Sequence, residues 1–435
     1  MKIVIKNGRV INPASGFDAV CAVAIADGRI VSMGQAATDF IADKVIDASG
    51  LTVAPGLIDL SARLREPGYE HEGMLQSELA AAVAGGITSL VCPPDTDPVL
   101  DEPGLVEMLK FRAEKLHQSR VFPLGALTRG LHGEALTEMV QLTESGCVGF
   151  SQAEVPLANT LVLLRAMQYA ATFNYGVWLR PQELHLGKGV AASGALATRL
   201  GLAGVPVAAE TIALHIIFDL MRATGVRAHI CRISSAAGAQ LVALAKAEGL
   251  NVTCDVSINS LHLLDTDIGY FDSRMRVEPP LRQQRDRDAL HKGLLDGTID
   301  ALVSDHTPVD VDAKTLPFAE AEAGATGLEL LLPLALKWGQ EHGKNGMLRA
   351  LEVITTGPAR VLGTSIGALA QSAGQLVQGG VADVCVFDPA AEWTPEPAAL
   401  RSQGKHTPFS NHLLQGKVRY TLVGGHVAFD SAGAA

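Results

Sequence analysis

Arginine stands where an apolar, strand-like run ends at three places in this chain. Arg63 follows Leu57–Leu60, Arg180 follows Val177–Leu179 and Arg232 follows Arg227–Ile230. Asp305 directly follows a fourth run, Ile299–Ser304. A guanidinium offers donors only and stays charged, so it can clamp an anion but cannot ligate a cation. Two readings stay open at this point. Arg65, Arg180 and Arg232 form a pocket for a small anion, or one or both of Arg180 and Arg232 pair with Asp305. Pairing is preferred, because a buried carboxylate needs a partner. Asp305 is followed by His306, a lone histidine of the kind that is most often structural. His71, His132 and His185 show no metal-ligand spacing, and no Ser/His/Asp or Cys/His set is present. Lys188 and Lys314 fall in loops and are expected to be solvated.

Composition narrows the function classes. The chain has 435 residues, 48% of them hydrophobic and 19% charged, which excludes a disordered chain and supplies a large core. A formal net charge of −11 disfavours sequence-independent nucleic-acid binding, which needs a basic face. No apolar stretch reaches membrane-spanning length; Thr211 to Met221 is broken by His215 and Asp219. The N-terminus alternates like a strand and lacks a signal-peptide core. The six cysteines (Cys21, Cys92, Cys147, Cys231, Cys254, Cys385) form no C-x-x-C pair, and most sit in apolar runs. The expectation is a cytoplasmic protein with reduced thiols.

The elements that must position the arginines fall into two units. Residues 1–55 read as short strands, with turn signals at Asn7-Gly8 and Asp27-Gly28. The tail alternates over 382–388 and 418–423, and turns at Gly424-Gly425. The expected arrangement is a composite β-sandwich domain, 1–55 plus 364–435, built from both termini. From 56 to 363, apolar runs alternate with helical patterns, which implies a parallel sheet covered on both faces. Eight such runs predict an α/β fold of the (β/α)8, or TIM-barrel, type. The remaining runs are Ile87–Val91, Val121–Leu124, Cys147–Phe150 and Val252–Asp255. An open doubly wound sheet is the alternative, but neither a G-x-G-x-x-G nor a P-loop opens a helix. In such a barrel the working residues follow the strands.

Several runs together resemble the dihydroorotases of the amidohydrolase superfamily. They are Gly56-Leu57-Ile58-Asp59-Leu60, Leu64-Arg65-Glu66-Pro67-Gly68, Ala84-Gly85-Gly86-Ile87-Thr88, Pro279-Pro280-Leu281-Arg282, Asp296-Gly297-Thr298-Ile299-Asp300, Ser304-Asp305-His306, Gly327-Leu328-Glu329 and Thr407-Pro408-Phe409. The resemblance implies a metal site, and this chain departs from it there. The family's His-x-His after strand one reads Ser61-Ala62-Arg63. Its aspartate after strand four is Ala153, within Phe150-Ser151-Gln152-Ala153-Glu154. Its later histidines are Arg180 and Arg232. Asp305 survives as a vestigial carboxylate. Arg65 matches a substrate-carboxylate position, while the neighbouring asparagines are Asp95 and Glu278. A catalytic zinc needs about three imidazole, thiolate or carboxylate donors. Like charges about 4 Å apart cost about 4 kcal/mol at intermediate dielectric. No metal or other cofactor is therefore expected, and no catalytic residue.

The resemblance implies a specific role for such a chain: a homodimeric, non-catalytic homologue in pyrimidine biosynthesis that assembles with aspartate carbamoyltransferase. The alternative is an active cyclic-amide hydrolase that holds zinc through unusual ligands. A third possibility is a metal-free binder of a small anion.

Overall fold

Residues 1–34 and 40–433 are described by the computed structural model. Its first five strands are β1 (Ile3–Asn12), β2 (Phe17–Ala26), β3 (Arg29–Gly34), β4 (Lys44–Asp47) and β5 (Thr52–Pro55). Then come β6 (Leu57–Asp59), β7 (Ile87–Cys92), β8 (Arg120–Pro123), β9 (Gly125–Ala126), β10 (Phe150–Ser151) and β11 (Gly176–Leu179). The short β12 (Ala191–Ala192) and β13 (Gly204–Val205) pair with each other in an excursion after β11. They are followed by β14 (Arg227–Ile230), β15 (Val252–Ser257) and β16 (Ala301–Val303), and the tail supplies β17 (Val384–Trp393), β18 (Leu414–Val423) and β19 (His426–Asp430).

The middle strands pair in parallel throughout. β8 and β9 are one strand bent at Leu124, β8 pairing with β7 and β9 with β10. The ring closes where Ala62 bridges His306, just beyond β6 and β16. Closure makes this a (β/α)8 barrel and excludes the open sheet. Asp59 reinforces the seam, accepting from the Ser304 backbone N–H (3.1 Å) and from its hydroxyl. The expected run Cys147–Phe150 is ordered as a strand only over Phe150–Ser151.

Local signals set the helix ends. Helices span Pro103–Lys115, Thr160–Thr172, Ala208–Thr224 and Ala236–Glu248. Asn159 and Ser235 accept N-terminal backbone N–H groups, and Gly225 and Gly249 end two helices in the left-handed region.

The two ends of the chain meet in one sheet, ordered β19-β18-β17-β5-β1-β2-β3 with β4 also on β1. Hydrogen bonding is continuous through it. Its residues alternate between two cores. Val384 and Val386 of β17 pack with Ile3, Ile5 and Val23, while Cys385 and Phe387 join the cluster that contains Leu79 and Ile87 of the barrel. Thr421 donates to the Val83 carbonyl at 2.6 Å, tying sheet to barrel. Asn7-Gly8 is not a hairpin turn. It is a bulge inside β1, with Asn7 at φ 63° and the register shifting between Ile5 and Gly8. The bulge lets both Ile5 and Val10 face the same core. Among the described residues, no helix is long and apolar enough to cross a membrane.

Candidate functional site

Every barrel strand delivers its next residues to one mouth, and the backbone turns sharply there. Arg65, Ala153, Arg232 and Asp305 all take positive φ, at 63°, 50°, 56° and 52°. Such angles are uncommon outside glycine and gather where a scaffold must aim side chains. The loops of a barrel active site are therefore present, whatever they carry.

What they carry is a charge cluster centred on Glu154, just past β10. Arg63 donates to Glu154 Oε1 at 2.6 Å, and Arg180 and Arg232 both donate to the same carboxylate. Each arginine also has a second carboxylate. Arg63 Nε donates to Asp95 Oδ2 at 2.8 Å, Arg232 Nη1 to Asp305 Oδ1 at 3.0 Å, and Arg180 Nη2 lies 3.4 Å from Glu278 Oε1. Three guanidinium groups thus face four carboxylates, and the side chains of Arg63, Arg180, Arg232 and Asp305 are all less than 10% exposed. Burial works to raise the Glu154 carboxyl, but Arg180, Arg232 and Arg63 outweigh it and hold it well below the usual range. At Asp305 burial prevails over Arg232 and Arg63, and its carboxyl is raised. Arg232 Nε is buried without a partner.

The expected site residues divide accordingly. Arg63, Arg180, Arg232, Asp95 and Asp305 come together at the mouth; Arg232 pairs with Asp305, while Arg180 meets Glu154 and Glu278. Ser61 is held through its backbone, its N–H on Asp59 Oδ1 at 3.3 Å and its carbonyl accepting from His306 at 3.2 Å. Ala153 packs with Ala126 and Leu131 in an apolar cluster. Arg65 is spent on Glu72 (2.7 Å) and on the Pro308 carbonyl (2.9 Å).

His306 is structural. Its Nδ1 accepts from the Gly327 N–H at 3.1 Å, so Nε2 carries the proton and donates to Glu78 Oε2 at 2.8 Å. Lys314 corrects an expectation: it is 7% exposed rather than solvated. Its Nζ donates to the carbonyls of Arg276 (2.8 Å) and Glu322 (2.5 Å), and burial pushes its pKa down to about 7. Lys188 is exposed as expected, and all six cysteines are unpaired.

Glu154 is the residue that sequence reasoning passed over. Its signal was available, since it adjoins Ala153 and is the carboxylate of a strand end otherwise facing arginines.

These residues do not fit a catalytic zinc. Of the six positions that would ligate it, Asp305 alone offers a donor atom suited to a cation. Among the described residues, one group of three converging donors, His291, Glu341 and His342, lies away from the mouth, and the other, His229, Cys231 and Asp255, adjoins Arg232, whose N–H donates to Asp255. Nor do the arginines form a free anion pocket. A cavity of about 160 Å³ opens beside them, but Arg63, Arg65 and Arg232 face it already paired, and Glu278 and Glu322 supply further negative charge.

A (β/α)8 barrel with a β unit joined from both termini is a fold this chain shares with known proteins. The L-hydantoinase (dihydropyrimidinase) of Arthrobacter aurescens shares the fold with a TM-score of 0.87 over 98% of this chain and 96% of its own, at 23% identity. A family profile described as Dihydro-orotase-like matches residues 50–237. A "Dihydroorotase-like protein" of Pseudomonas aeruginosa is 45% identical over 99% of this chain and 100% of its own length. A "Dihydroorotase" of Geobacter sp. strain M21 is 39% identical, again over 99% and 100%. The chain belongs to the dihydroorotase-like family.

Proposed function

We propose that this chain is a catalytically degenerate dihydroorotase homologue of pyrimidine biosynthesis. It works in the cytoplasm as a homodimeric assembly partner of aspartate carbamoyltransferase. The observation that carries the reading is the Glu154 cluster: guanidinium groups of Arg63, Arg180 and Arg232 stand at positions where the family's metal ligands would lie. Without those donors, no bound water is brought to a pKa near 7 to attack a ring amide. A lone Asp305 base supplies only about 10²–10⁴-fold. A folded barrel mouth with no remaining hydrolytic machinery leaves the outer surface to carry the role.

The test is reconstitution with the transcarbamoylase of the same organism. Co-elution is expected, with assembly or activity of the transcarbamoylase depending on this chain. A transcarbamoylase fully assembled and active without it sinks the partner role. Dihydroorotate hydrolysis is expected to be absent before and after zinc or cobalt loading. Metal-dependent turnover, lost in Asp305→Asn, would instead make the chain a hydrolase.

A further inference from the structure

Away from the barrel mouth, the helix Gln284–Asp296 sets His291 against the end of the helix Leu331–Gln340, where Glu341 and His342 follow. One ring nitrogen from each histidine and one Glu341 carboxylate oxygen all lie within 4.8 Å of one another.

Two features leave this cluster short of a positive charge. His291 Nε2 lies 2.7 Å from the Leu261 carbonyl oxygen, which can only accept, so Nε2 carries the proton. In the neutral ring Nδ1 is then a bare lone pair, and it faces Glu341 Oε2 at 3.4 Å, another acceptor. The second feature is His342 Nε2, buried without any hydrogen-bond partner. Buried polar atoms in that condition are rare. A single cation between the three groups would separate the two facing acceptors and give a ring nitrogen of His342 a partner.

We propose that His291, Glu341 and His342 hold a divalent transition-metal ion of the zinc class. Two imidazoles and a carboxylate are a donor set that zinc takes, with a fourth position left for water. A ligand histidine whose other N–H is fixed on a carbonyl is already aimed, as His291 is. The ion also sits at the negative end of the helix Leu331–Gln340. Tetrahedral donors around zinc stand about 3.3 Å apart, so Glu341, whose side chain is 54% exposed, swings inward on binding. The nearby Arg287 guanidinium is turned to Gln284 Oε1 at 3.0 Å. Bound there, the ion ties the helix after β15 to the helix after β16. The other three-donor group, His229, Cys231 and Asp255, carries no such deficit. His229 already meets Thr253 (2.8 Å) and Asp255 (2.9 Å), and Asp255 accepts from the Arg232 N–H (2.6 Å).

The test uses the full chain, stripped with chelator and titrated with ZnCl2 or CoCl2. Metal per chain is read by elemental analysis, and cobalt coordination by its visible absorption. One saturable ion per chain is expected. Glu341→Gln and His342→Ala should bind it at least about tenfold more weakly, losing the cobalt bands while the circular dichroism spectrum is unchanged. Asp305→Asn should bind as the parent does. The proposal is overturned by the absence of saturable binding or by both ligand variants binding like the parent. It is equally overturned if Asp305→Asn abolishes binding, since the ion would then lie in the barrel mouth.

Discussion

Glu154 accepts from three guanidinium groups, and among the described residues no other single carboxylate meets all three. Removing one partner of a buried ion pair strands the other charge, at about 3–5 kcal/mol. Glu154→Gln keeps the size and hydrogen-bonding oxygen but loses the charge, so a loss of about 3 kcal/mol is expected. Urea denaturation reads it directly, and a variant as stable as the parent would mean that the cluster does not hold the mouth together. Lys314 makes a prediction about pH. Its pKa is pushed down to about 7 in the folded chain, below the ordinary lysine value of 10.5. Between those values the unfolded chain binds the extra proton, so stability from this group rises with pH. It is lowest below pH 7, where both states are charged, and is fully regained above about pH 10.5. Relative to Lys314→Met, the parent should therefore gain stability from pH 7 to 10 in denaturation series. A constant difference across that window would show the lysine to be ordinary.

At the scale of the element, the bulge in β1 decides which residues reach the core. Asn7 holds φ 63°, a conformation that costs a non-glycine residue about 1–2 kcal/mol and a β-branched one more. Gly8 must remain glycine, because a Cβ there would meet Val53 Cγ2 at 2.6 Å. Asn7→Gly should be tolerated, whereas Asn7→Val should lower stability by about 2 kcal/mol. The midpoint of chemical denaturation separates the two, and equal midpoints would mean that the bulge rearranges freely. Helix ends are partly local: Pro103 opens one helix, Ser235 caps another, and Gly225 and Gly249 close two.

For the whole molecule, the sheet from both termini is part of the barrel's support. β17 and β18 send Cys385, Phe387 and Val418 into the barrel's own core. Ending the chain before Leu414 deletes β18 and β19, bares the edge of β17 and uncovers that core. The shortened chain is expected to be insoluble or aggregated, as soluble yield and size-exclusion chromatography would show. A soluble monomeric barrel would mean the sheet is dispensable.

The sequence alone determined the period of each segment and the donor chemistry of each strand end. That was enough for the alternation of strands and helices, and to show that Ser61, Arg63, Ala153, Arg180 and Arg232 carry no imidazole, thiolate or carboxylate. Both are local properties, set by side-chain type and by spacing along a few residues. Only the tertiary structure decided which charges meet. Glu154 is separated from Arg232 by 78 residues and from Arg63 by 91. Lys314 reaches a carbonyl 38 residues away. Barrel closure brings those groups together, and no short window of sequence carries the geometry of closure.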